Sequence, residues 1–145
     1  MMKPSRICEG IISLEKLVTT KEIVKTDKAP LPVGPYNQAV KAAGLIFLAG
    51  QIPLDPKTGQ MIGNSVKDQT RRVIENIKAV LEGAGSSLEK IVKATVFLQD
   101  MNEFPNMNAV YAEYFKEQTA PARSTIQVAR LPKDALVEIE VVALQ

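Results

Sequence analysis

The sequence predicts a single α+β domain with two helices on one face of a mixed sheet. Three observations carry that expectation. Two segments repeat apolar residues at helical spacing, shorter segments rich in β-branched residues surround them, and the elements fall in the order βββαβαββ. The chain has 145 residues, 46% hydrophobic and 23% charged, within the ordinary range for globular domains. At that length folding buries roughly 68% of the unfolded surface, so the core requires neither a metal nor a disulfide.

Residues 1–20 read as an N-terminal extension and 21–145 as the domain. In the extension, Ser13-Leu14-Glu15-Lys16-Leu17-Val18 can form a short helical turn. It echoes Ser87-Leu88-Glu89-Lys90-Ile91-Val92, but a repeat architecture needs about three copies. The run Glu22 to Thr26 is the first expected strand, after which Pro30, Pro32, Gly34 and Pro35 impose an irregular loop. Tyr36 to Lys41 and Leu45 to Gly50 follow as strands, joined through Ala42-Ala43-Gly44, where Gly44 supplies a positive φ. Pro53, Pro56 and Gly59 mark an exposed, turn-rich segment.

The first helix opens at Ser65, with Asp68 three residues on in the manner of a capping box. Val66, Val73, Ile74, Ile77, Val80 and Leu81 share one of its faces, and Gly83 and Gly85 end it. Ile91 to Leu98 is a strand. Phe104, Met107, Val110, Tyr111, Tyr114 and Phe115 then recur at helical spacing with Pro105 near the start, and that stripe reads as core. Ser124 to Ala129 and Leu136 to Leu144 are the closing strands. In the last, Val137, Ile139, Val141 and Ala143 form an apolar face, while Glu138 and Glu140 share the other with Leu136, Val142 and Leu144. That mixed face requires a partner.

Absences narrow the chemistry. With no histidine, Ser-His-Asp and Cys-His engines, His-ligated zinc and an imidazole base are excluded, and acid-base work falls to carboxylates, Lys, Tyr or water. Cys8 alone forms no intrachain disulfide or Cys-x-x-Cys site, and neighbouring Glu9 disfavours its thiolate, so it reads as a bystander. No nucleotide-binding glycine motif occurs, and Glu138 and Glu140 have neither His nor Cys beside them for a metal. Each Ser-x-x-Lys lacks the Ser-Asp-Asn and Lys-Thr-Gly companions of penicillin-binding enzymes, which leaves its Ser as a helix N-cap. Lys+Arg of 18 against Asp+Glu of 16 leaves +2, too balanced for a nucleic-acid or membrane footprint. No run reaches the roughly 20 apolar residues of a membrane span. Lys3, Arg6 and Lys16 with Ser5 and Ser13 resemble a mitochondrial presequence, but Glu9 and Glu15 break its acid-poor pattern. The cytoplasm is expected, with the mitochondrion as the alternative.

What remains is Arg123 in Pro121-Ala122-Arg123-Ser124-Thr125, at the start of a strand. A guanidinium there can hold a carboxylate in a bidentate fork, although a structural or surface Arg fits the same spacing.

Six blocks then stand in register from about Glu22 to Gln145. They are Gly34-Pro35-Tyr36-Asn37-Gln38-Ala39, Ala49-Gly50-Gln51-Ile52-Pro53, Val92-Lys93-Ala94-Thr95-Val96, Asn108-Ala109-Val110-Tyr111, Pro121-Ala122-Arg123-Ser124, and Leu131-Pro132-Lys133 with Val137-Glu138-Ile139-Glu140. Together they resemble the Rid family (YjgF type), specifically the RidA enamine/imine deaminases. The resemblance implies a chorismate-mutase-like fold assembled as a homotrimer, with the polar sheet faces closed into a central barrel and clefts between subunits. It implies hydrolysis of 2-enamino and 2-imino acids, especially 2-iminobutanoate and 2-iminopropanoate, to 2-oxo acids and ammonia, without cofactor or metal.

By the same resemblance, Arg123 binds the substrate carboxylate, Glu138 holds and activates the attacking water, and Tyr36 shapes and polarises the site. Gly50, Phe104, Asn108 and Thr125 line the pocket. Each residue keeps a plainer reading: Glu138 as a barrel-lining carboxylate, Tyr36 as a packing aromatic; Glu140 is left structural. An imine is already electrophilic, so a clamped carboxylate, an oriented water and proton transfer suffice, and a His-free site can supply them. One departure is Ala49, where family members commonly carry Ser; one hydroxyl that could orient substrate or water is missing. A binding module for small carboxylates that uses the same clefts without turnover is the first alternative, and RNA cleavage or translation inhibition the second.

Overall fold

The structure, a computed structural model, describes residues 19–145. The expected turn at 13–18, Cys8 and the presequence-like start of the chain lie outside the described residues. Eight main elements follow in chain order: β1 (Glu22–Val24), β2 (Ala39–Ala42), β3 (Leu45–Gln51), α1 (Val66–Gly83), β4 (Ile91–Leu98), α2 (Phe104–Tyr114), β5 (Ala122–Gln127) and β6 (Val137–Leu144). The order βββαβαββ is the expected one. The strands form one six-stranded sheet, β1-β2-β3-β6-β4-β5. Every neighbouring pair is antiparallel except β4 and β5, which run parallel because α2 carries the chain back across the sheet.

Local chemistry accounts for the ends of these elements. Ser65 Oγ accepts the Asp68 N–H at 3.2 Å and caps α1. At its other end Gly85 adopts φ +80°, and the Gly85 and Ser86 N–H groups return to the Glu82 and Leu81 carbonyls at 3.0 and 2.8 Å, a Schellman closure. The β2–β3 hairpin turns on Ala43 (φ 51°) and Gly44 (φ 78°), both left-handed as a tight primed turn demands. Ser87 precedes the short turn Leu88–Lys90 but makes no side-chain cap bond.

β1, β2 and β5 have boundaries that differ from expectation by two or three residues, and β3 and β6 by one. β1 stops at Val24 because the Thr26 N–H and carbonyl bind the Gln38 side chain, at 2.8 and 3.0 Å, in place of a strand partner. β2 begins at Ala39 and not at Tyr36, since the Tyr36 N–H closes a tight turn onto the Gly34 carbonyl at 2.8 Å. β5 begins at Ala122, opposite Lys93, so Arg123 and Thr125 lie within its parallel ladder.

Both helices cover one face of the sheet. Val73, Ile77 and Val80 of α1 and Met107 of α2 bury against Val137, Ile139, Val141 and Ala143 of β6, the apolar face expected for the last strand. The opposite face is uncovered: Phe47, Ile126 and Leu144 are each 44–47% exposed on it. Among the described residues, no helix is long and apolar enough to cross a membrane.

Candidate active site

The ladder between β3 and β6 breaks near its end. Leu48 lies opposite Val141 and Gln51 opposite Ile139, so Ala49 and Gly50 together face Glu140 in a bulge. The break brings the Gly50 backbone against Glu138. A Cβ on Gly50 would lie 3.0 Å from Glu138 Cδ and 3.2 Å from Cγ, and would overlap Oε1. Glycine is therefore what leaves room for this carboxylate.

Glu138 projects from the uncovered face into a cavity of about 430 Å³, walled by Tyr36, Gly50, Ile52 and Pro132 among others. Half-burial raises its pKa, and the like charge of Glu140 on the same strand face adds to the rise. A carboxyl so placed is suited to hold and return a proton. Tyr36 forms part of the wall with its ring half exposed, and its hydroxyl accepts the Val33 N–H at 3.3 Å. Ala49 also lines the cavity, so a residue at this position faces the same space as Glu138.

Buried polar side chains hold the cavity walls in place. Gln38, 2% exposed, accepts from Thr26 N–H and donates to the carbonyls of Thr26, Ala29 and Pro30. It ties the proline-rich loop to the entry of β2. Asn76 of α1, fully buried, donates to the Ile52 and Leu54 carbonyls and fixes the segment after β3. On the far side Lys133 and Asp134 both adopt left-handed backbone (φ 55° and 56°), and Arg130 grips Asp134 with a two-pronged contact at 2.7 and 3.1 Å. Lys133 lines the cavity from that turn.

Sequence reasoning singled out none of these supports. Asn76 left a trace as a polar residue within the Val73–Ile77–Val80 stripe, and Gln38 sits inside a matched block; the left-handed turn at Lys133 carries no glycine to announce it.

Arg123 belongs to a second group. It pairs with Ala94, which in turn pairs with Val141, both buried under the helices, whereas Glu138 pairs with Phe97 on the other face. The two residues thus lie on opposite faces of the sheet, separated by β4 and by three residues of register, about 10 Å along the strands. The Arg123 guanidinium lies over the rings of Tyr111 (4.5 Å from Cζ to the ring centroid) and Phe104 (5.5 Å) of α2. Phe104, Asn108 and Tyr111 share one stripe of that helix. Thr125 lies on the same sheet face as Arg123, and its Oγ1 is buried without a partner. The seven expected site residues therefore form two groups within one chain: Tyr36, Gly50 and Glu138 at the cavity, and Arg123, Phe104, Asn108 and Thr125 at the β5–α2 side.

Among the described residues, no group of three or more His, Cys, Asp or Glu is placed to hold a metal ion. The chemical means on display are a half-buried carboxylate with a raised pKa, a phenol, and a guanidinium whose donor edge makes no ion pair or hydrogen bond among the described residues.

Comparison with known proteins matches residues 26–145 to the family described as Endoribonuclease L-PSP. A RutC family protein of Pyrococcus horikoshii is 58% identical over 123 residues, 85% of this chain and 97% of its own length. The 2-iminobutanoate/2-iminopropanoate deaminase of Salmonella typhimurium is 46% identical over 124 residues, 84% of this chain and 96% of that protein. Among solved structures, Escherichia coli TdcF with bound serine matches with a TM-score of 0.80 at 45% identity, over 86% of this chain and 98% of that one.

Proposed function

We propose a reaction from one premise: this chain belongs to the Endoribonuclease L-PSP family, of the YjgF/Rid type. It hydrolyses reactive 2-enamino and 2-imino acids, with 2-iminobutanoate and 2-iminopropanoate as substrates, to 2-oxo acids and ammonia. The observation that carries this reading is Glu138, a carboxylate with a raised pKa seated against the side-chain-free Gly50 bulge in a cavity that Tyr36 walls. Relatives named as deaminases and a relative with serine bound, a small amino acid, support the substrate class.

In the reaction, the Arg123 fork holds the substrate carboxylate and sets the imine carbon before a water on Glu138. Glu138 takes one proton as the water oxygen bonds to carbon, and the C=N pair moves to nitrogen. The same carboxyl returns that proton to nitrogen, giving an adduct with one hydroxyl and one amino group; it then takes the hydroxyl proton and passes it to nitrogen as the C=O bond forms and the C–N pair leaves with nitrogen, releasing ammonia and the 2-oxo acid. Tyr36 polarises the adduct from the wall, and Gly50, Phe104, Asn108 and Thr125 complete the pocket. No cofactor takes part, and the cytoplasm is the compartment.

Arg123 and Glu138 lie on opposite faces of one chain's sheet, so the working cleft takes Glu138 from one copy and Arg123 from the next, within a homotrimer. The uncovered face bearing Phe47, Ile126 and Leu144 supports such an assembly. RNA cleavage draws no support from a net charge of +2 or a chain without histidine.

The test couples the purified protein to a threonine dehydratase with semicarbazide as trapping agent. Wild type is expected to suppress semicarbazone formation and Arg123→Ala to fail. Ala49 in the cavity wall favours a second reading, a carboxylate-binding module without turnover. If neither protein suppresses the trap, that second reading stands and Ala49→Ser is the variant to assay.

A further inference from the structure

We infer that Tyr111 is a positioning residue for the Arg123 guanidinium, holding it as a preformed carboxylate receptor; the inference rests on the reading of Arg123 as the carboxylate clamp. Tyr111 sits mid-helix in an apolar stripe, and its sequence context marks it only as core. The structure adds a second duty.

An arginine on an edge strand, with no ion pair or hydrogen bond among the described residues, ordinarily samples many rotamers. Here Arg123 Cζ lies 4.5 Å from the Tyr111 ring centroid and 5.5 Å from that of Phe104, both within the reach of cation–π attraction. The rings hold the guanidinium through its charge and offer it no carboxylate or carbonyl acceptor, so its N–H donors remain for the fork of a carboxylate.

The platform is itself packed into the core. Tyr111 is 6% exposed, belongs to the core cluster, and packs its ring against Phe115 with centroids 4.4 Å apart. Phe104, at the start of α2, is only partly buried and lies 1 Å farther from the guanidinium carbon. Tyr111 is therefore the ring that fixes the geometry. Its hydroxyl is buried without a partner, so the ring face and not the phenol carries the role, and phenylalanine should substitute for it.

The primary readout is ¹⁵N relaxation at Arg123 Nε in the assembled protein. The side chain should be ordered in wild type, mobile in Tyr111→Leu, and ordered again in Tyr111→Phe. Tyr111→Met keeps apolar volume without a π face and should resemble Tyr111→Leu, so a failure of Tyr111→Leu to fold leaves the comparison intact.

The second readout is calorimetric binding of 2-oxobutanoate. Tyr111→Met should weaken it about tenfold in the wild-type background and less than about twofold in an Arg123→Ala background, because a residue acting only through Arg123 loses its effect when Arg123 is gone. Unchanged order at Arg123 Nε in both Tyr111→Leu and Tyr111→Met, or an equal loss of binding in the two backgrounds, overturns the inference. The relaxation experiment needs no turnover. An absence of imine hydrolysis would thus overturn the proposed reaction and leave the result for Tyr111 standing.

Discussion

Gly50→Ala isolates the contact on which the proposed chemistry depends. The new methyl carbon would stand 3.0 Å from Glu138 Cδ and 3.2 Å from Cγ, closer still to Oε1, whereas relaxed carbon contacts sit at about 3.5–4.0 Å. The carboxyl must therefore swing away by roughly 1 Å or more. What moves is the end of a flexible side chain on the uncovered sheet face, and the alanine also restricts the unfolded chain, so the stability change should stay within about 1 kcal/mol. Catalysis tolerates much less: a misplacement of about 1 Å can cost about 100-fold in rate, or about 2.7 kcal/mol in barrier.

The expected result is a near-normal urea midpoint with kcat for 2-iminobutanoate hydrolysis down about 100-fold. Gly44→Ala is the control. Nothing lies within 4 Å of its added carbon, but its φ of +78° makes alanine cost about 1 kcal/mol in stability, with no effect on kcat. A Gly50→Ala enzyme with kcat within about threefold of wild type would refute the placement of the working carboxylate at this bulge. A loss of several kcal/mol in stability would show that the space was needed by backbone and not by Glu138.

Other perturbations follow from the same geometry. The folded state raises the Glu138 pKa, first by burial and then through Glu140, so it retains a proton that the unfolded chain releases; stability falls as pH rises from the ordinary carboxylate range through the raised value. Glu138→Gln should accordingly be more stable than wild type at pH 7 and equal to it below about pH 4 in urea titrations, and an equal gain at both pH values would exclude a charge origin. Glu140→Gln removes the like charge and should move the acidic limb of the kcat/KM profile to lower pH; an unmoved limb would separate the two carboxylates. Gln38→Leu strands the Thr26 N–H and the Ala29 and Pro30 carbonyls and should cost about 2–4 kcal/mol by urea unfolding; a loss under about 1 kcal/mol would mean that the loop is held otherwise. Phe47→Asp charges the uncovered face and should yield monomers by sedimentation with imine hydrolysis lost, while a fully active monomer would refute a cleft shared between copies.

Much of the architecture was legible locally. The Ser65 cap and the Gly85 closure of α1, the Ala43–Gly44 turn, and the alternation of Val137, Ile139, Val141 and Ala143 each depend on residues within a few positions of one another. The register of six blocks pointed to the family, and residues 26–145 match it. Arg123 and Glu138 were identifiable as candidates because guanidinium and carboxylate chemistry is written in the residue types themselves.

Only the tertiary structure decided where those candidates stand relative to one another. The parallel pairing of β4 with β5 sets Arg123 against Ala94 on the helix side, and the antiparallel pairing of β4 with β6 sets Glu138 against Phe97 on the other. The bulge at Ala49–Gly50, the burial of Gln38 and Asn76, and the left-handed backbone of Lys133 also arise from pairing and packing between segments far apart in the chain. Periodicity and capping act over one or two turns, whereas register and face are set by which distant strands exclude water together. The chain by itself therefore determined its elements and its chemical means, and the sheet determined that Arg123 and Glu138 lie on opposite faces of it.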